Sequence, residues 1–212
     1  MKLQWLALAR SIDIPEVAAE KIWRELAVAY GENGRFYHNL HHIQHALDVA
    51  EQLQAVAVDF TAVQLALWFH DVVYDPRRSD NEAQSAAFAE RVLRPLDTPD
   101  EMLETIKTLI LVTQTHETAV ADPNVWVMLD ADLAILSAPP AQYDAYARAI
   151  RQEYSFVPED QYVVGRTAVL QKFVARSPFY FTEQMRMGGD TAVYANLNRE
   201  LVELQKRNTE GH

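Results

Sequence analysis

Segments with helical spacing of apolar residues follow one another along almost the whole chain, and this pattern limits the possible folds most. Ile43, Leu47 and Ala50, for example, recur at intervals that place them on one face of an α-helix. Prolines and capping residues separate these segments, and no stretch alternates polar and apolar residues as a half-buried strand does. Glycine makes up only 6 of 212 residues, which disfavours a turn-dense β-sandwich or barrel. The sequence therefore predicts an all-α fold of eight or nine helices in a single domain, residues 1–212.

Caps, prolines and glycines place the boundaries of these helices. A capping pattern at Thr61 and the pair Asp75-Pro76 bracket a strongly apolar helix, and Met187-Gly188-Gly189 marks a loop near the end of the chain. Gly165 falls inside a predicted helix, where the residue is unfavourable, and this predicts a close approach of another helix. The predicted helices cover residues 13–30, 40–53, 61–74, 79–93, 98–116, 124–136, 139–154, 158–177 and 191–206.

Charge and composition exclude several classes of protein. The chain has 30 acidic and 19 basic residues, a net charge of −11, which argues against binding to a nucleic-acid polymer. It has no cysteine, so disulfides, thiolate zinc sites and cysteine nucleophiles are excluded. No stretch approaches 18 uninterrupted apolar residues, and the first residues do not resemble a signal peptide. We therefore expect a cytoplasmic protein with no membrane partner.

Several titratable residues lie on the apolar faces of the predicted helices. His42 shares its face with Ala46 and Ala50, whereas His41 falls on the polar side with Asp48. The same test turns His70, His116, Asp130 and Asp132 toward apolar neighbours.

Buried carboxylates need a counter-charge, because an ionised acid without a partner is very costly in a protein core. Asp71, Asp130 and Asp132 are the candidates, and either arginines or a metal ion could supply the charge. A single inward histidine is more often a hydrogen-bonded core residue than a ligand, and the segment around Asp130 and Asp132 could be a salt-bridged helix. The combination of His42, His70-Asp71 and Asp132 on separate helices favours a metal site with nitrogen and oxygen ligands.

This combination resembles the HD-domain superfamily of metal-dependent phosphohydrolases, whose pattern is an early His, a His-Asp pair and a distant Asp in an all-α bundle. The chain is further similar to a branch described as predicted metal-dependent HD-superfamily phosphohydrolases. The similarity spans roughly residues 23–204 and rests on a set of phrases. They are GRFYHNLHHI (34–43), LALWFHDVVYDP (65–76), DNEAQSA (80–86), LILVTQTH (109–116), LDADLAILS (129–137), IRQEY (150–154) and VGRTAVLQKF (164–173).

The resemblance implies one divalent metal ion held by four side chains, with Mn, Fe, Co, Ni, Mg and Zn all compatible with such ligands. The predicted ligands are His42, His70, Asp71 and Asp132, with His38 as the alternative to His42. The helical-face argument favours His42. A second metal ion, held by His116 with help from His38, is the other option.

The implied reaction is hydrolysis of a phosphate ester or anhydride by a metal-activated water, with a small phosphorylated metabolite such as a nucleotide as substrate. Catalytic roles are predicted for Asp71, His116 and Glu82, although Glu82 is equally consistent with a plain helix-capping acid. The predicted substrate-binding residues are His38, Arg35, Arg151 and Arg166, and Asp130 is predicted to contact the metal ligands. The alternatives are a metal- and nucleotide-binding sensory module without turnover, and a diiron oxygenase on the same scaffold.

Overall fold

The computed structural model describes the backbone of residues 1–210 and the side chains of residues 1–207. Within these residues it contains ten α-helices, two short 3-10 helices and no strand. The all-α prediction is confirmed, with slightly more helices than expected, whereas the HD-type bundle stays a prediction. Among the described residues, no helix combines the length and the apolar character that crossing a membrane requires.

The helices group into two compact units, and the prediction of a single domain is not tested by this grouping. The first unit, Met1–Asp132, contains α1 (Lys2–Ser11), α2 (Glu16–Ala29), α3 (Leu40–Gln52), α4 (Phe60–Phe69), α5 (Asn81–Leu93), a 3-10 turn (Arg94–Leu96), α6 (Asp100–Val112) and α7 (Pro123–Asp132). The second, Leu133–His212, contains a 3-10 segment (Leu133–Ser137), α8 (Pro140–Glu153), α9 (Glu159–Val174) and α10 (Glu183–Glu210).

Helix α4 is the centre of the first unit, because it is apolar on every side. Its residues from Leu65 to Phe69 are all fully buried, and α3, α5, α6 and α7 pack around it. On α1, which is not among the predicted helices, Trp5 packs edge-on against Trp68 and donates a hydrogen bond to the carbonyl of Ala19. This burial carries His70, the residue after the helix, into the interior of the unit.

Helix α4 ends five residues earlier than predicted, at Phe69 instead of Tyr74. Beyond it, backbone groups of residues 71–73 form hydrogen bonds with side chains from other parts of the chain. Arg35 donates hydrogen bonds to the carbonyls of Asp71 and Val72, and Ser85 accepts one from the backbone N–H of Val73. Because these partners come from distant parts of the sequence, helical periodicity alone placed the end of the helix too late.

The second unit is built around the packing of α9 on α10 and of α10 on the 3-10 segment. Its core includes Tyr143, Phe179, Tyr180 and Leu197. Helix α10 is kinked at Met187 and Gly188, and the left-handed φ of 93° at Gly188 explains why glycine stands there. The predicted loop at residues 187–189 therefore corresponds to non-helical backbone at Met187 and Gly188, which separates two helical segments of α10.

Gly165 has a different environment from the one predicted. It lies inside α9, and a Cβ atom added there would meet no other atom within 4 Å among the described residues. The prediction that a neighbouring helix approaches closely at this glycine is therefore wrong.

The open space at Gly165 leads to a stability prediction. Gly165→Ala should raise the free energy of unfolding by about 1 kcal/mol, because alanine has the higher helix propensity and meets no obstacle. Gly188→Ala is the matched control and should lower stability, since alanine is strained at a φ of 93°. Urea unfolding followed by circular dichroism measures both. A loss of stability in Gly165→Ala would contradict the prediction that a side chain fits at this position.

Candidate metal centre

Four predicted ligands meet inside the first unit. His42 lies in the first turn of α3, His70 caps the C-terminus of α4, Asp71 follows it, and Asp132 is the last residue of α7. Both histidines are buried, with 3% and 1% of their surface exposed, and the Asp71 and Asp132 side chains are 15% and 10% exposed. His42, His70 and Asp132 form the group among the described residues that could hold a metal ion.

The donor atoms of the four side chains point at a common centre. Nε2 of His42 lies 3.2 Å from Nε2 of His70, and Oδ1 of Asp132 lies 3.2 and 3.3 Å from these two nitrogens. Oδ2 of Asp71 is 3.5 Å from Nε2 of His42 and 3.1 Å from Nε2 of His70. Ligands at about 2.1 Å from one cation are separated by about 3.0 Å in an octahedron and about 3.4 Å in a tetrahedron. The observed spacings therefore fit one shared divalent ion.

The hydrogen bond of His70 to the backbone turns its Nε2 toward the cluster. Its Nδ1 lies 3.0 Å from the carbonyl oxygen of Leu67, which can only accept a hydrogen bond, so Nδ1 carries a proton. In the neutral ring, Nε2 then has a lone pair directed at the oxygens of Asp71 and Asp132. Two electron-rich groups at that distance repel each other unless a proton or a metal ion lies between them.

The charged groups of the cluster shift one another's pKa values. Burial lowers the pKa of His70, but the negative charges of Asp71 and Asp132 outweigh it and raise the pKa well above its usual value. Burial raises the pKa of Asp132, but the charge of His70 and hydrogen bonds from His116 and His42 hold it well below its usual range. The same balance lowers the pKa of Asp71. The carboxylates are therefore ionised and ready to bind a cation.

His42 and His38 have different places in the structure. Nε2 of His42 faces the cluster, while its buried Nδ1 has no hydrogen-bond partner among the described residues. The ring of His38 stacks on Tyr74 with 4.0 Å between centroids, and its charge contributes to the lowered pKa of Asp71. His42 is thus the histidine that belongs to the candidate metal group, and His38 lies beside it.

His116 contacts Asp132 on the side away from the cluster. Its Nε2 lies 2.8 Å from Oδ2, whereas Oδ1 of the same carboxylate faces His42 and His70. His116 follows α6 in the left-handed region, at a φ of 52°. The contact orients a ligand, as a histidine–carboxylate pair does around many metal sites. Its predicted catalytic role stays a prediction.

Arg35, predicted to bind substrate, holds the loop that carries the ligands. Its guanidinium donates to the carbonyls of His38, Asp71 and Val72 and to the carboxylate of Glu32. These bonds use all five N–H donors of the side chain, which is 3% exposed. Arg35 therefore positions the backbone on both sides of the cluster, and contact with a substrate would require one of these bonds to break.

The other predicted residues lie outside the group of ligands. Glu82 is half-buried in the first turn of α5, and its neighbour Asn81 closes the preceding loop by accepting a hydrogen bond from the N–H of Asp75. Asp130 is 1% exposed on α7. Arg151 and Arg166 belong to the second unit, where they pair with Glu159 and Glu200.

The positioning role of Arg35 and the contribution of the Leu67 carbonyl were not predictable from the sequence. The only available signal for Arg35 was its place in the phrase that contains His38 and His42, which suggested substrate binding. Leu67 precedes His70 by three residues, and its carbonyl becomes available because the helix ends there. Backbone acceptors of this kind leave no trace in residue identity.

Comparisons with protein-family models, with curated proteins and with solved structures found no match. The case for a metal centre therefore depends on the geometry of these side chains.

The cluster predicts that metal reverses the pH dependence of stability. Without metal, the pKa of His70 lies above the ordinary value of 6.5, so the folded protein binds more protons than the unfolded chain. Its free energy of unfolding should then fall as the pH rises from about 6.5 through the raised pKa. With saturating metal the imidazoles of the folded protein stay deprotonated, so stability should rise with pH until the histidines of the unfolded chain have lost their protons, about one pH unit above 6.5, and should then level off.

The measurement is the thermal midpoint at several pH values between about 6.5 and 8.5, with EDTA and with excess Mn²⁺. His70→Ala serves as control and should show the same pH dependence in both conditions. Slopes of equal sign in the unsubstituted protein would contradict the prediction.

Proposed function

We propose that the chain is a metal-dependent phosphohydrolase of the HD-domain superfamily, which cleaves a phosphate ester or anhydride of a small phosphorylated metabolite such as a nucleotide. The observation that supports this most is the convergence of two imidazole nitrogens and two carboxylate oxygens inside the first unit, where each nitrogen lies 3.1–3.5 Å from the other nitrogen and from both oxygens. A divalent cation bound to His42, His70, Asp71 and Asp132 would activate water and neutralise charge on the phosphoryl group.

The residues around the cluster each have a part in this proposal. His116 occupies Oδ2 of Asp132, so Oδ1 stays directed at the two histidines. Arg35 holds the backbone of Asp71 and thereby keeps this carboxylate beside His70. His38 and Tyr74, stacked on each other next to the cluster, offer an aromatic surface for a substrate. His116, 21% exposed, is placed to exchange a proton with solvent.

Four protein ligands leave two positions of an octahedron for water and a phosphoryl oxygen, which suits hydrolysis better than a closed structural site. The choice among Mn, Fe, Co, Ni, Mg and Zn stays open, since nitrogen and oxygen ligands suit all of them. The proposal includes a cytoplasmic location. It also excludes a nucleic-acid polymer as substrate, in keeping with the net charge of −11.

The test is an assay of the metal-free protein, reloaded with each metal in turn, against a panel of nucleotides and other phosphorylated metabolites. We expect release of phosphate or pyrophosphate from at least one substrate and its loss in His70→Ala. Unchanged activity in His70→Ala would refute the proposal. Tight nucleotide binding without product for any metal would instead support the sensory module, and two irons per chain would support the diiron oxygenase.

A further inference from the structure

The charge of the chain is divided very unevenly between its two units. Residues 1–132 contain 21 acidic and 10 basic side chains and account for the whole net charge of −11. Residues 133–212 contain nine acidic and nine basic side chains and are formally neutral. Negative ligands therefore meet much less repulsion at the second unit than the composition of the chain suggests.

Four of the seven arginines in the second unit line one cleft. Arg148 and Arg151 come from α8, and Arg199 and Arg207 come from α10. The cleft has a volume of about 480 Å³, within the range of roughly 300–1,000 Å³ that is typical of small-molecule sites. Tyrosine rings and the side chain of Leu204 supply its apolar surface.

The arginines keep donors that no described residue uses. Arg151 donates to Glu159 and to the carbonyls of Tyr154 and Val157, which leaves one N–H free on each terminal nitrogen. Its guanidinium lies 4.5 Å above the ring of Tyr162, and this contact orients the guanidinium group. Arg148 is exposed and has no hydrogen bond or ion pair within the described residues.

Carboxylates are too few to neutralise these arginines. Glu200 is bound to Arg166 beneath the cleft, and Asp144 is bound to Arg199. Glu159 is shared by two arginines, at 2.9 Å from Arg151 and 3.6 Å from Arg207.

Glu203 also lines the cleft, but it is exposed on α10. Arg148 forms no ion pair within the described residues, and Arg151 and Arg207 share one carboxylate. An anion with several acceptor oxygens would contact the unused donors of Arg148 and Arg151.

We propose that this cleft binds a small phosphorylated metabolite. Phosphate oxygens match the paired donors of guanidinium groups, and the tyrosine and leucine surfaces accept the apolar part of such a molecule. On binding, the phosphate takes the place of the Glu159 carboxylate as the partner of Arg151 and Arg207. The proposal does not rest on the proposed hydrolysis, because none of the residues that line the cleft is a candidate metal ligand.

The test is calorimetric titration of the full chain, freed of metal with EDTA and dialysed, with inorganic pyrophosphate as the probe. Metal removal weakens phosphate binding at the His/Asp cluster, so the failure of one proposal is distinguishable from the failure of the other. We expect one binding site per chain. Arg148→Gln and Arg207→Gln change exposed side chains and should each weaken binding roughly tenfold, the loss expected for one charge-assisted contact.

Glu159→Gln provides the sharpest test, because it should act in the opposite direction. Freeing Arg151 and Arg207 from their shared carboxylate should tighten pyrophosphate binding by roughly three- to tenfold. Lys172→Gln removes a positive charge from the same unit outside the cleft and serves as the control, with affinity unchanged within about twofold. The absence of binding, or equal affinity in the arginine and Glu159 variants, would overturn the proposal.

Discussion

Replacing Asp132 by asparagine should weaken divalent-metal binding at least about 100-fold and abolish any hydrolysis that depends on the metal. The change keeps the shape of the side chain but removes the negative charge whose Oδ1 lies 3.2–3.3 Å from both histidines. Loss of residues that merely support metal ligands already reduces affinity about 10–100-fold, so loss of a ligand should exceed that range. Titration of the EDTA-treated protein with Mn²⁺ or Co²⁺, followed by calorimetry, measures the affinity.

Two adjacent histidines of α3 provide a matched comparison for this result. His42 faces the cluster, whereas His41 is exposed on the same helix, so the two positions differ in orientation and not in local structure. His42→Gln should lose metal affinity to a similar degree as Asp132→Asn, and His41→Gln should retain it. Equal effects at both positions would show that the metal binds elsewhere.

Loss of Asp132 should also change how the stability of the metal-free protein depends on pH. The ionised carboxylates of Asp132 and Asp71 both lie next to Nε2 of His70. Neutralising it removes part of the field that raises the pKa of His70. The metal-free Asp132→Asn protein should therefore show a weaker fall of thermal midpoint with rising pH.

The residues of this cluster were predictable from sequence because helical periodicity determines which side of a helix enters the core. His42 shares a face with Ala46 and Ala50, and all three are buried. Asp132 lies at the end of a helix whose neighbouring residues are almost all buried, which is the pattern that first distinguished it. The burial of His42 and Asp132 was thus encoded locally, although the two residues are far apart in the chain.

The roles of the arginines were not predictable, because they depend on long-range geometry. Arg35 was predicted to bind substrate, yet its five donors are used by the loops around the cluster.

The helix caps show the same limit. Asp59 caps α4, one residue before its start, instead of the expected Thr61. Several polar residues near a helix start fit the capping pattern, and tertiary contacts decide among them.

Arg166 illustrates the same point in the second unit. It was predicted to bind the substrate, and the structure places its guanidinium against the carboxylate of Glu200, with contacts of 2.8 and 3.0 Å. The side chains of the two residues are only 7% and 9% exposed, and Tyr143 donates a further hydrogen bond to Glu200. Burial of Tyr143, reinforced by the charge of Glu200, raises the pKa of this tyrosine far above its usual value, so it acts as a donor throughout the physiological range.

Breaking this buried pair should destabilise the second unit strongly. Arg166→Met leaves the charge of Glu200 without its partner, and loss of one member of a buried pair typically costs about 3–5 kcal/mol. Glu159→Gln is the matched control. Glu159 lies on α9, like Arg166, but its pair with Arg151 of α8 is near the surface. Its loss should therefore cost less than about 1 kcal/mol. Urea unfolding of both variants measures the difference.

The double variant Arg166→Met/Glu200→Leu separates the cost of an unpaired charge from the value of the pair itself. Apolar residues of similar volume need no counter-charge, so the double variant should recover most of the stability that Arg166→Met loses. It leaves the hydroxyl of Tyr143 without its acceptor, so recovery should be incomplete by about 1–3 kcal/mol. A double variant less stable than Arg166→Met would show that the pair contributes directly to stability. A small loss in Arg166→Met would instead mean that water reaches Glu200 and solvates its charge.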